Sequence, residues 1–157
     1  MVIRRAVEAD AAGIGAVHVQ SWREAYAHLA PAQALAALDV VQRVSRWVDI
    51  IRDGGSEIWV AVIDSQTVGW ITIGRGREGT PRSTELEGLY VLASHYGTGA
   101  GQRLVEAGLG AEPAYLWMAA DNPRAHAFYR RNGFRPDGAS ATHAIVGTPV
   151  HIVRLVR

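Results

Sequence analysis

A chain of 157 residues with 48% apolar content is long enough for one core and too short for two, so a single domain spanning residues 1–157 is expected. Sixteen arginines against fifteen acids leave a net charge of +1, which offers no broad positive field to nucleic acid or to an anionic membrane surface. Lysine and cysteine are absent, excluding a Schiff-base or P-loop lysine, a disulfide, a thiolate nucleophile and a zinc–thiolate site.

The opening MVIRRAVEAD lacks the apolar run of a signal peptide, and no later stretch approaches a bilayer span, so a cytoplasmic address is expected. VIRRAV reads as a short strand. Asp10 is the candidate cap of a helix in which Ile14, Val17, His18, Trp22 and Tyr26 recur at threes and fours. Pro31 starts a second helical region that runs to about Arg52 and ends at DGG. IWVAVIDSQTVGWITIG is then a hairpin turning at Asp64-Ser65-Gln66, and ELEGLYVL is a fourth strand. SHYGTGAGQRL opens a helix to about Gly110, AYLWMA is a short buried strand, and Asn122 to Asn132 is helical. Two final strands follow, with turns at Pro136 to Gly138 and Gly147 to Pro149.

Helices mixed among strands in the order β α α β β β α β α β β specify an α/β or α+β sandwich. Strand, helix and strand between Glu85 and Ala119 make the fourth and fifth strands parallel neighbours. The glycine loop therefore lies at the carboxyl end of a strand, where such sheets place ligands. A helix start presents unpaired N–H groups and the positive end of the macrodipole, and glycines let that backbone approach a ligand. A pyrophosphate suits this site. Walker A fails for want of lysine, and G-x-G-x-x-G fails because counting from Gly97 or Gly99 lands on Gln102 or Leu104.

NPRAHAFYRRNGF begins with Asn122 as a helix cap, continues with Pro123 at the first helical position and ends at Gly133. Asn122 and Tyr129 stand two turns apart and share a side of that helix. The glycine loop matches R/Q-x-x-G-x-G/A at Gly99 and Gly101. The later helix matches N-x-x-A-x-x-F-Y-x-x-x-G-F at Asn122, Ala125, Phe128, Tyr129, Gly133 and Phe134. In both motifs, and in the order of its strands, the chain resembles the GCN5-related N-acetyltransferases (GNAT). The resemblance implies a mixed, mostly antiparallel sheet of about seven strands flanked by helices, whose fourth and fifth strands are parallel and splay to open a slot. It implies acetyl-CoA as the cofactor, with the main chain of Leu89, Tyr90 and Val91 beside pantetheine. Gly97, Thr98, Gly99, Ala100, Gly101 and Gln102 would meet the pyrophosphate, and Asn122 and Tyr129 would also face the cofactor. One position departs from the pattern: Tyr96 stands where the family has Arg or Gln. Arg103 is a candidate charge partner or a solvated helix arginine.

Transfer of acetyl to an alkyl amine, whose pKa is about 10.4, needs a proton removed from the nucleophile and one given to the leaving thiolate. Tyr129 matches the family tyrosine that protonates the sulfur, with positioning of that sulfur as the alternative role. The backbone N–H of Val91 is a candidate oxyanion donor. Glu85 and Glu87 share strand parity with each other and with Leu89 and Val91, and either carboxylate or water can serve as base. The six histidines show no H-x-x-x-H spacing, so no metal site is expected. Tyr26, Glu24, Trp70 and Trp117 are candidates for gripping the acceptor, a small-molecule amine or a peptide amine. A non-catalytic acyl-CoA binding module is the rival from another class, and the terminal VHIVRLVR either pairs within the sheet or meets a second copy in a homodimer.

Overall fold

The computed structural model describes all 157 residues. Seven strands form one sheet in the order β1-β2-β3-β4-β5-β7-β6. They are β1 (Val2–Arg5), β2 (Glu57–Ile63), β3 (Gln66–Arg75), β4 (Thr84–Val91), β5 (Tyr115–Ala119), β6 (Arg135–Ile145) and β7 (Thr148–Val156). All neighbours are antiparallel except β4 and β5, which run parallel. The helices are α1 (Ala11–Ala25), α2 (Ala32–Ala36), α3 (Val40–Asp53), α4 (Ala100–Gly108) and α5 (Pro123–Arg131). No helix is long and apolar enough to cross a membrane.

The sheet is covered on both faces, which is why its central strands read as apolar runs. Leu104, Val105 and Leu109 of the α4 segment, with Tyr129 and Phe134 from α5 and beyond it, pack on Val68, Ile71, Ile73, Leu86, Leu116 and Leu155. On the other face Ile14 and Val17 of α1 and Trp47 of α3 pack on Ile58, Val60 and Trp70. Leu104 is fully buried, so its truncation to alanine should cost about 2–5 kcal/mol.

Four local features differ from the sequence expectation. Asp10 does not cap α1. Its carboxylate is taken by Arg4 at 2.6 and 2.7 Å and by the N–H of Val7 at 2.8 Å, which pins β1 to the helix start and holds the Asp10 pKa below its ordinary value. The helical region from Pro31 is two helices, because Asp39 accepts from the N–H groups of Val41 and Gln42 and so starts α3 afresh. Pro136 to Gly138 is not a turn but an irregularity within β6, where the register with β7 shifts between Pro136 and Ser140. The chain reverses instead at Val146 and Gly147, both with positive φ, before β7 begins at Thr148. A β-branched residue at φ 45 is strained, and Val146 is held there by packing against the cluster of Tyr26, Leu35, Ile145 and Val150. The VHIVRLVR segment is interior to the sheet, paired with β5 on one side and β6 on the other.

Candidate active site

β4 and β5 pair only at Glu85 opposite Tyr115. Beyond that point the strands part, so the main-chain edge of Leu89, Tyr90 and Val91 that faces β5 has no strand partner, while β3 pairs with the opposite edge. The result is a slot open toward the carboxyl ends of two parallel strands.

The glycine loop closes one end of this slot. Gly97 and Gly99 take φ 79 and φ 84, a left-handed conformation that side-chain-bearing residues avoid, and a Cβ at either would meet nothing within 4 Å. The space is open rather than filled by the protein. Gly99 caps α4 without a side chain, and the N–H groups of Gly97, Gly99, Gly101 and Gln102 donate to no group of the protein. Thr98 directs its hydroxyl to the carbonyl of His95 at 2.8 Å and also receives the N–H of Ala100 at 3.4 Å. Bare donors at a helix start, with room before them, fit a pyrophosphate. Gly101 also serves packing, since its absent Cβ lets Phe128 of α5 lie at 3.4 Å from that position and seats α5 against α4.

Asn122 caps α5 through its side-chain oxygen, which accepts from the N–H of Ala125 at 3.1 Å, leaving the amide NH₂ for other contacts. Tyr129, two turns on, is 8% exposed and packs edge-on against Phe128 and Phe134. Burial pushes its pKa well above that of an ordinary phenol, so the hydroxyl keeps its proton at neutral pH. A charge on Tyr26 would push this pKa up further, and a charge on Tyr129 would in turn disfavour ionisation of Tyr90. Tyr26 and Tyr90 share a 2.7 Å hydrogen bond between their hydroxyls, and burial raises both pKa values. Tyr26, just past the end of α1, and Tyr90 of β4 thus meet, with Tyr129 of α5 near enough to feel the charge of Tyr26.

The carboxylates lie elsewhere on β4. A bulge between Thr72 and Ile73 pairs Ile73 with Leu86 but Thr72 with Gly88, so an extra residue, Glu87, is inserted into β4. Parity breaks there. Leu86, Leu89 and Val91 pack on the α4 face, whereas Tyr90 packs on the α1 face. Glu85 and Glu87 therefore do not share the face of Leu89 and Val91, because a two-residue alternation cannot run through a bulge. Glu85 is buried, accepts the Tyr115 hydroxyl at 2.5 Å and lies 3.6 Å from the guanidinium of Arg77. Glu87 is exposed, its carboxylate lying over Gly74 where a side chain would clash.

Of the expected acceptor residues, Tyr26 reaches the phenol cluster. Trp70 is 3% exposed and packs against Trp47, His18 and Tyr90 as a core ring. Trp117 is half-buried under the guanidinium of Arg154. No group of three or more histidine or acidic side chains is arranged to hold a metal ion. Two side chains of the site go beyond the sequence expectation. The Tyr90 side chain, expected to matter only through its backbone, joins Tyr26. Arg124 stacks over the Tyr96 ring at 3.5 Å, linking the glycine loop to the start of α5. Its signal is present in the chain: an arginine at the second position of a helix with no acid in its first turn opposes the macrodipole.

Residues 54–136 match a family model described as an acetyltransferase (GNAT) domain. An uncharacterised N-acetyltransferase of Mycobacterium tuberculosis is 30% identical over 116 residues, covering 70% of this chain and 72% of that protein. Among solved structures, the ribosomal-protein-alanine N-acetyltransferase of Brucella melitensis superposes with TM-score 0.73 at 24% identity, covering 100% of this chain and 99% of that one. A protein of Salmonella typhimurium solved with its cofactor acetyl-CoA gives TM-score 0.71 at 19% identity, with coverage of 100% and 92%. The N-acetyltransferase PaiA of Thermoplasma acidophilum, in complex with coenzyme A, gives 0.68 at 18%, with coverage of 98% and 96%.

Proposed function

Because the chain belongs to the GNAT acetyltransferase family, we propose that it works as one catalytic domain that moves acetyl from acetyl-CoA to a primary amine by direct attack in a ternary complex. The observation that carries this reading is the parting of β4 from β5, with unpaired loop amides at its mouth and the buried Tyr129 phenol on α5. The solved relatives that hold acetyl-CoA or coenzyme A support the choice of carrier.

Acetyl-CoA, when bound, supplies the acetyl thioester. The free main-chain N–H groups of Gly97, Gly99, Gly101 and Gln102 would hold its pyrophosphate, and the free edge of Leu89 to Val91 would take up pantetheine as an added strand does. The N–H of Val91 is the donor we assign to the thioester oxygen. Tyr129 holds a proton at its hydroxyl for the departing sulfur, and its raised pKa keeps that proton in place until the sulfur demands it. Glu85 is the buried carboxylate of β4 on the face that carries Tyr90, and it is the base we assign for the acceptor ammonium, acting across water. The Tyr26–Tyr90 pair offers phenol oxygens to the acceptor nitrogen.

A protein N-terminal amine is the second acceptor class, favoured by the fold shared with a ribosomal-protein-alanine N-acetyltransferase. Thiol release from acetyl-CoA, read against a panel of small amines and peptides with the acetylated product weighed by mass spectrometry, tests both. Release with no panel member, from a chain that binds acetyl-CoA, would favour a binding module over an enzyme.

A further inference from the structure

The glycine loop lacks the Arg or Gln that its pattern calls for, and the residue in that place, Tyr96, is 38% exposed. Nothing on the loop itself replaces the missing side-chain N–H donor. Arg103 is turned away, its guanidinium donating to the carbonyl of Met1 at 3.3 Å. Arg124 comes from the other side of the mouth and lays its guanidinium over the Tyr96 ring at 3.5 Å. It forms no salt bridge. Glu24, whose charge acts on this ring, is held by the N–H of Ala93 and the Gln20 amide.

An unpaired cation at a helix start sits beside the positive end of a dipole and gains from an anion placed between them. Stacking on a ring leaves the edge of the guanidinium free, because its N–H groups lie in the plane that is parallel to the ring and point outward. It also fixes a flexible side chain before any ligand arrives, so less ordering is left for binding. On the reading that the chain binds coenzyme A, we propose that Arg124, oriented by Tyr96, is a phosphate contact of that carrier and supplies from α5 the charge that the loop lacks. The carrier has two candidate partners of the same chemistry, its pyrophosphate and its ribose 3′-phosphate.

Calorimetric titration of coenzyme A and 3′-dephospho-coenzyme A into the wild-type chain, Arg124→Gln, Tyr96→Ala and Tyr96→Phe separates them. Arg124→Gln should weaken coenzyme A by about tenfold and flatten the dependence of Kd on salt. Tyr96→Ala should share part of that loss, and Tyr96→Phe, which keeps the ring, should not. A loss seen with coenzyme A alone assigns the 3′-phosphate, and an equal loss with both ligands assigns the pyrophosphate. Unchanged affinity of Arg124→Gln for both ligands would overturn the proposal while leaving the carrier site intact. A wild-type chain that binds neither ligand would overturn the carrier reading and this contact with it. Both residues are exposed, so the variants should melt with the wild type, which a thermal scan checks.

Discussion

The face of the sheet beneath α4 and α5 ends in bare backbone, whereas the face beneath α1 and α3 is a packed layer of rings. At the glycine loop four N–H groups are unpaired and the left-handed turns at Gly97 and Gly99 have open space before them. Under α1, by contrast, His18 touches Trp22, Trp47, Trp70 and Tyr90 at ring distances of 4.9 to 5.9 Å. A backbone site is the same for any sequence that can make the turn, so it suits a carrier common to many enzymes. A side-chain layer changes with every substitution, and its Tyr26–Tyr90 edge is the part we assign to the acceptor. The two meet where Tyr26, Tyr90 and Tyr129 converge.

Removing the phenol at that meeting point should have the largest effect. Tyr129→Phe should lower kcat by about 10²–10⁴-fold while acetyl-CoA binds as before, because the loop is untouched. Unchanged turnover would reduce Tyr129 to a core ring. Glu85→Gln should reduce the rate at neutral pH by about 10²-fold and recover as pH rises and the acceptor loses its proton unaided. If the pH profile of Glu85→Gln matches the wild type, water or Glu87 is the base. Gly99→Val should weaken acetyl-CoA by at least about tenfold, and the left-handed φ of 84 should also cost about 1–2 kcal/mol of stability. Gly79→Val carries comparable strain, at φ 77 on a distant loop, and should lose stability alone.

The smallest effect on turnover and carrier binding belongs to the ring layer, which answers in stability instead. Trp47 donates its indole N–H to Nδ1 of His18 at 3.1 Å, so Nε2 carries the proton, and that nitrogen is buried without a partner. Burial first, then Arg43 and Arg46, lowers the His18 pKa from 6.5 to about 3. The unfolded chain therefore binds a proton below about pH 6.5 that the folded chain refuses, and stability present above that pH declines as pH falls toward 3. The slope is at most about 1.4 kcal/mol per pH unit. Urea midpoints between pH 4 and 7 should fall for the wild type and lose this component in His18→Gln. Equal acid limbs would mean that His18 is reached by water.

The same contrast explains what can be read from the chain. The glycine loop and α5 are legible because their conformations are dictated locally: Asn122, Pro123 and Gly133 mark a helix, and clustered glycines mark a turn. The split at Asp39 is equally local, since aspartate caps as readily as asparagine, but the apolar pattern that continues on either side of it hides the break. Asp10 misleads because Arg4, six residues earlier, outcompetes the helix for its carboxylate. The bulge that turns Glu85 away from Leu89 depends on how β3 and β4 register, which no residue of β4 announces. The joining of Tyr26 to Tyr90 across 64 residues, and of Tyr96 to Arg124, arises only when separate elements assemble.

Calorimetric titration of the purified chain with acetyl-CoA, run beside Gly99→Val and Tyr129→Phe, bears most directly on the central claim. One molecule should bind per chain, with affinity kept by the phenol variant and lost by the glycine variant. Absence of binding to the wild type, or equal binding to the wild type and Gly99→Val, would contradict a carrier held by the backbone of residues 97–102.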